Sequence, residues 1–217
     1  MQEIVGWLNT GLVLLAYLMG SIPTSVWIGK AFYGVDVREH GSGNAGATNT
    51  FRTLGARAGI IVLIFDCLKG FLPVMLIPEI SPYESGSVAY TNLQVALGLG
   101  AVLGHIFPVF ADFRGGKGVA TLLGVVLALH LQAALISLGV FVLVFGITRF
   151  VSLGSLISAI IYPISLALLF REIPPSLLIF AVVFASIVII THQKNIERLL
   201  RREEGRLDLN RRKKPDR

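Results

Sequence analysis

Charged side chains fall in short blocks along this chain, separated by long apolar runs that carry none. No Asp, Glu, Lys or Arg lies between Glu3 and Lys30, from Ser85 to Ala111, or in 118–148, 150–170 and 173–193. A helix rises about 1.5 Å per residue, so about 20 apolar residues cross the roughly 30 Å of hydrocarbon in a bilayer. Several runs suit one crossing, but 118–148 is long for one helix and short for two. The basic residues decide the parity. The loop 30–57 carries Lys30, Arg38, Arg52 and Arg57, and the loop 78–87 carries only Glu79 and Glu84. Arg114 and Lys117 follow, and ten Lys and Arg lie beyond His192. Basic loops stay on the cytoplasmic side. That requires 118–148 to turn around His130 and Gln132 and cross twice, leaving only Arg171 outside.

The pattern therefore predicts helices over 4–29, 57–77, 87–111, 118–130, 132–148, 151–170 and 174–192. The fold class is all-α: a polytopic membrane helix bundle of seven transmembrane helices, N-terminus outside and C-terminus cytoplasmic. One membrane-embedded domain covers 1–217, with a basic cytoplasmic tail over 193–217. Helix 118–130 is only about 20 Å long, so it is expected to start in a loop sunk below the headgroups.

Composition agrees. Of 217 residues, 54% are hydrophobic and only 15% charged, and mean hydropathy is +0.74. A soluble domain of this length needs a larger charged shell. The run 4–29 lacks the basic start and short apolar core of a signal peptide, so it is read as a mature helix. The single Cys67 excludes a disulfide framework and reads as a packing residue. The tail 197–217 reads as a short amphipathic helix followed by a disordered end that sets topology and attracts anionic headgroups. Nucleic acid is not an expected partner. No internal repeat is visible, which weighs against a transporter built from duplicated halves.

Three polar segments carry the candidate chemistry. The first is Gly41-Ser42-Gly43-Asn44-Ala45-Gly46-Ala47-Thr48-Asn49-Thr50-Phe51-Arg52. Its glycines let backbone N–H groups turn inward, its hydroxyls and amides add neutral donors, and Arg52 can grip an oxyanion with two N–H groups. Together they suggest an anion-binding nest leading toward a helix start near Gly55, with Gly43, Asn44, Gly46, Thr48 and Asn49 as binding candidates. The second, Arg114-Gly115-Gly116-Lys117-Gly118, again favours phosphate at a helix N-terminus. It lacks the spacing of a nucleotide-binding P-loop. The third is Thr191-His192-Gln193-Lys194-Asn195-Ile196-Glu197-Arg198, where His192 and Asn195 share a helix face.

Asp66 and Lys69 lie inside a span and can neutralise one another. A structural ion pair and a place in the site both remain open, and Lys69 counts among the binding candidates. His105 reads as a packed histidine. No His/Cys/Asp/Glu cluster has metal-ligand spacing, no Ser-His-Asp grouping or nucleophile elbow is present, and no histidine precedes an aspartate by five residues. A small phosphorylated substrate, met at a membrane surface without nucleophile, metal or cofactor, is the reading that remains.

The segment 41–52, Asp66-Cys67-Leu68-Lys69-Gly70, Gly104-His105-Ile106-Phe107-Pro108 and Phe113-Arg114-Gly115-Gly116-Lys117-Gly118-Val119-Ala120-Thr121 together resemble a known family. His192-Gln193-Lys194-Asn195-Ile196-Glu197-Arg198-Leu199 extends the likeness. It is that of the bacterial acyl-phosphate:glycerol-3-phosphate acyltransferases (PlsY), over nearly the whole chain and in the right order. Arg202 departs from it, since many members have glycine before the acidic pair Glu203-Glu204.

The resemblance implies transfer of a fatty acyl group from acyl phosphate to the first hydroxyl of glycerol 3-phosphate. Lysophosphatidic acid and inorganic phosphate would be the products, opening phospholipid synthesis at the bacterial cell membrane with the active site on the cytoplasmic face. Ser42, Arg52, His192 and Asn195 match residues needed for activity, 115–118 matches the glycerol-phosphate-binding motif, and Glu204 matches a structural position. The implied partners are the two substrates and the bilayer, around a monomer with no metal, acyl-CoA or acyl carrier protein. Two recipients for the acceptor proton stand: His192, or the substrate's own phosphate. The second is favoured, because nothing beside His192 in sequence orients it as a base. A transporter of a small phosphorylated metabolite is the competing reading. A lipid phosphotransferase is disfavoured by the lack of clustered aspartates.

Overall fold

The computed structural model describes residues 2–207. The described residues form ten α-helices and three short 3-10 turns. The helices are α1 (Gln2–Gly20), α2 (Thr24–Tyr33), α3 (Ala47–Leu54), α4 (Ala56–Leu76), α5 (Val88–Ile106), α6 (Val119–Leu129), α7 (Leu131–Thr148), α8 (Val151–Leu169), α9 (Pro175–Thr191) and α10 (Gln193–Leu200). Five stretches are long and apolar enough to cross a membrane, and a sixth qualifies if α9 and α10, bent by 61°, are one broken span. The protein is thus an all-α polytopic membrane bundle with five to six apolar spans.

Two sequence expectations change in detail and a third holds. The run 4–29 is two helices, not one, because Pro23 at the start of α2 offers no N–H to continue α1. The segment 47–52 is helical rather than an open nest, as α3 begins directly after Gly46. The break inside 118–148 falls at His130, as the parity argument requires, with its Nδ1 accepting from the Ala133 amide at 3.3 Å. Yet α6, with 11 residues, is shorter than a span. It starts from the polar loop 114–118 inside the bundle.

The break between α1 and α2 has a second use. The Ile22 carbonyl at this break accepts from the Thr24 amide at 3.0 Å and also from Lys69 Nζ at 2.8 Å, while Lys69 Nζ lies 2.8 Å from Asp66 Oδ1. Both side chains are buried. The ion pair is therefore anchored to the backbone of a neighbouring helix, which is how a charge is held at membrane depth.

Helices α4 and α6 pack through small residues, because lipid supplies no hydrophobic drive and close backbone contact must replace it. A β-carbon on Gly124 would meet the Cys67 carbonyl, and one on Gly70 the Thr121 carbonyl. Both obstacles are backbone atoms that cannot swing away. Gly124→Val is expected to lower the melting temperature of the purified protein, by about 1–3 kcal/mol of overpacking. Gly139→Val, where nothing lies within 4 Å, should leave it unchanged.

Candidate active site

The first polar segment is shaped by side chains that meet no ligand. Asp36 accepts from the Arg38 amide at 3.0 Å and from its guanidinium at 2.7 Å, while Arg38 Nη1 reaches the Ala111 carbonyl at 2.9 Å. The Arg38 hydrogen bond holds the Asp36 carboxyl far below its usual range, against the opposing effect of burial. This clamp joins the first loop to the second. Asn49, 2% exposed, then spends its whole amide on the loop. Its Oδ1 accepts from the Ser42 amide at 2.8 Å, and its Nδ2 donates to the carbonyls of Val37 at 2.7 Å and His40 at 3.1 Å. Gly41 (φ +60°) turns in the left-handed region directly over Asn49, where a β-carbon would strike the amide oxygen. Asn49 is thus a shaping residue. Ser42, Asn44 and Thr48 line the cavity described below. The first amides of α3, capped by no side chain, join them.

The second loop is seated on the end of α5. The Gly115 amide donates to the Ile106 carbonyl at 3.2 Å and the Gly116 amide to the His105 carbonyl at 3.1 Å. Side chains at either position would run into His105. These glycines therefore serve packing, and the part of the loop that lines the cavity is Lys117 and Gly118. Gly118 takes φ +84° and caps α6. Lys117 Nζ donates to Asn195 Oδ1. Burial lowers the Lys117 pKa to about 8, helped by the Arg198 and Arg52 cations and opposed by Glu204.

The third segment sits at the bend between α9 and α10. His192 is 3% exposed, and its Nδ1 lies 2.8 Å from the Val188 carbonyl. A carbonyl only accepts, so Nδ1 carries the hydrogen and Nε2 presents a lone pair. The fold thus supplies an orienting group for His192 that the neighbouring sequence did not reveal. Asn195 Nδ2 donates to Glu204 at 2.7 Å; Ser152 Oγ donates to the same carboxylate at 2.7 Å and Arg198 Nε at 2.8 Å. Burial works to raise the Glu204 pKa, but these three donors hold it below its ordinary value.

Residues 203–207 are therefore not loose tail. They fold back as an extended strap, with Arg52 Nη2 on the Gly205 carbonyl at 2.8 Å and the Leu207 amide on the Arg149 carbonyl at 2.9 Å. Arg202, at φ +59°, makes the turn into the strap. That left-handed conformation favours glycine, the residue that the family resemblance places there. The remainder of the predicted disordered end, 208–217, lies outside the described residues.

One cavity of about 420 Å³ joins these segments. Its polar end is lined by Ser42, Arg52, Lys117, His192 and Asn195, with Asn44, Gly46, Thr48, Asn49 and Gly118 around them. Its other end runs between α6, α7, α8 and α9 over Leu123, Leu138, Phe141 and Phe184. Gly43, Lys69, Gly115 and Gly116 do not line it. Sequence reasoning missed Ser152, Tyr162 and Leu207, which do, and gave His105 and Asp66 no settled place there. Asp66 lines the cavity and Lys69 does not, although the two stay paired at 2.8 Å and the Lys69 amine also reaches the Ile22 carbonyl.

A polytopic bundle whose anion-accepting pocket continues into an apolar tunnel is built to hold an amphiphile, and this places the protein among integral membrane proteins of lipid chemistry. The family model for glycerol-3-phosphate acyltransferase matches residues 10–202, and the chain belongs to that family. It is 49% identical to the glycerol-3-phosphate acyltransferase of Trichlorobacter lovleyi over 88% of this chain and 93% of that one. It is 46% identical to that of Fusobacterium nucleatum over 89% and 95%. Crystal structures of PlsY (YgiH), an integral membrane glycerol 3-phosphate acyltransferase, superpose on it. The glycerol 3-phosphate form gives a TM-score of 0.84 at 40% identity, covering 92% of this chain and 96% of that one. The lysophosphatidic acid form gives 0.80 at 39%, covering 93% and 96%.

Proposed function

We propose that this protein transfers a fatty acyl group from acyl phosphate to the 1-hydroxyl of glycerol 3-phosphate, releasing lysophosphatidic acid and inorganic phosphate. The observation that carries this reading is the single cavity in which anion-binding side chains lead into an apolar tunnel. One substrate is lipid-borne and the other water-borne, so the site has to open to both phases.

The membrane arrangement we infer has seven crossings, the N-terminus outside, and the C-terminus and active site on the cytoplasmic face of the bacterial cell membrane. Two features support it. The basic loops share one side under the positive-inside rule. Lys117, before α6, and Arg149, after α7, both lie at the site end, since Arg149 receives the strap and Lys117 meets Asn195. Helices α6 and α7 thus enter and return.

Acyl phosphate is an activated mixed anhydride, so the protein has mainly to hold two anions in attack geometry, which supplies at best roughly 7–11 kcal/mol. Ser42, Asn44, Thr48 and the first amides of α3 receive the donor phosphate, and its acyl chain lies in the tunnel. Lys117 and Arg52 hold the phosphate of the acceptor. His192 Nε2 accepts a hydrogen bond from the glycerol hydroxyl and aims its oxygen at the acyl carbon. The carbon–oxygen bond forms, the bond to the departing phosphate breaks, and donors around Ser42 offset the charge that develops. Glu204 is saturated by three donors and Asp66 is paired with Lys69. The acceptor proton is proposed to pass to a substrate phosphate oxygen while His192 Nε2 positions the hydroxyl, with His192 itself the alternative recipient.

Purified protein in detergent, given acyl phosphate and glycerol 3-phosphate, is expected to release phosphate and form lysophosphatidic acid, unaffected by EDTA and not with acyl-CoA as donor. Absence of phosphate release would overturn the assignment and leave a transporter as the alternative. His192→Ala should slow turnover by about a hundredfold while keeping the wild-type pH–rate profile. If a titration near neutral pH disappears in that variant, His192 is the base and the proton does not pass directly to the substrate phosphate.

A further inference from the structure

The tunnel ends abruptly, and the residue at its end is unusual. Each of its four helices presents one face, at three- and four-residue spacing: on α8 the lining residues are Ser152, Ser155, Ser158, Ala159 and Tyr162. The deepest lining residues are Val126 on α6, Ala134 on α7, Tyr162 on α8 and Ala181 on α9. One turn further, Leu166 (0% exposed) and Leu177 (3%) are packed in the core and line nothing. Ala134 and Ala181 are small, and Tyr162 is the bulkiest of the four residues at that depth.

Tyr162 is itself 5% exposed, and its hydroxyl is buried with no hydrogen-bond partner among the described residues. The serines nearby are not comparable. Ser137, Ser155 and Ser158 donate to carbonyls of their own helices. Tyr162 therefore presents an unused donor at the end of an otherwise apolar space. A hydrocarbon pressed against it blocks any other partner, which costs binding, and the ring takes the volume a longer chain would need.

Resting on the acyl-transfer reading, we propose that Tyr162, facing Ala134 and Ala181, is the floor of the acyl tunnel and sets the longest acyl chain the enzyme accepts. From Ser152, beside Glu204, to Tyr162 is about 15 Å along α8. That is half of the roughly 30 Å hydrocarbon thickness, the depth of one leaflet. The tunnel is thus matched to chains that fit one leaflet, and longer ones meet the floor.

The test is a series of lauroyl, palmitoyl, stearoyl and arachidoyl phosphates given to the purified full-length protein with glycerol 3-phosphate. In the wild type kcat/KM is expected to fall from palmitoyl to arachidoyl. Tyr162→Ala should raise the arachidoyl-to-palmitoyl ratio about tenfold, and Ala181→Phe should lower the palmitoyl-to-lauroyl ratio about tenfold, the scale on which pockets discriminate added methylenes. Tyr162→Phe, which keeps the ring, should keep the wild-type limit. KM for glycerol 3-phosphate should not move in any of them. Unchanged ratios in both Tyr162→Ala and Ala181→Phe would overturn the proposal, and either variant alone decides it if the other does not fold. Thermal stabilisation by lysophosphatidates of the same chain lengths reads the floor without turnover. If the wild type turns over no acyl phosphate, the acyl-transfer reading fails, and this binding series still shows whether Tyr162 limits chain length.

Discussion

Lys117→Ala is expected to raise KM for glycerol 3-phosphate about ten- to hundredfold, the worth of one hydrogen bond to a charged group, with a smaller fall in kcat. Lys117 is the cation of the second loop that reaches the cavity, and among the described residues its amine is held by Asn195 alone, a neutral partner that a phosphate oxygen can replace. Its pKa of about 8 makes the effect visible in the wild type as well. An anion bound beside the amine raises that pKa, so binding above pH 8 has to take up a proton and weakens as pH rises. Affinity also weakens below about pH 6, where a phosphate monoester loses its second charge. KM should therefore be lowest between these limits. Lys117→Arg, which cannot deprotonate, should abolish the alkaline rise in KM, though its fork fits a lysine site less well. If KM is unchanged in Lys117→Ala and only turnover falls, the division of labour between the two loops is wrong.

Glu204→Gln is expected to lower both kcat and stability. Three donors from two helices converge on this carboxylate: Ser152 on α8, Asn195 and Arg198 on α10. An amide keeps one acceptor and adds two hydrogens where only acceptors are wanted. Each donor left unmet in this buried place costs about 1–3 kcal/mol. Asn195 loses the contact that aims its oxygen at Lys117, and a misplacement of that order is worth about a hundredfold in rate. Thermal unfolding and kcat measured together test this, with Glu204→Asp as the milder change. The sign with pH follows from the lowered pKa of the folded state. The support from Glu204 is present above its ordinary value of 4.5 and is lost as pH falls below that, through the folded value. A variant that unfolds no sooner and turns over at the wild-type rate would show that the strap is passive.

Legibility differed from element to element. The helices at 87–111, 151–170 and 174–192 were visible within a few residues, because uncharged apolar runs of that length have one stable form in lipid. The turn at His130 was visible because charge parity demanded it. The strap was not. Nothing in Glu203-Glu204-Gly205-Arg206-Leu207 marks it as part of a site, and a charged segment after the last span reads as solvated tail. Its signs came only from the family resemblance, which has glycine where Arg202 stands and gives Glu204 a structural match. The double use of Asn49 was equally hidden, since an asparagine in a glycine-rich loop looks the same whether it holds a ligand or the loop.

The sequence by itself determined the class of molecule: apolar runs must become helices in a bilayer, basic loops must stay on one side, and three polar segments must meet there. Their residue types already called for a phosphate-bearing substrate. Only the tertiary structure decided which of those residues keep polar groups for the shared cavity. Gly115, Gly116, Asn49 and Lys69 turn their polar groups to backbone, while Ser42, Lys117, His192 and Asn195 turn theirs to the cavity. The physical reason is that a loop buried at a membrane surface must first satisfy its own amides and carbonyls. What remains for a ligand depends on which partners the packed helices bring near, and local sequence does not carry that information.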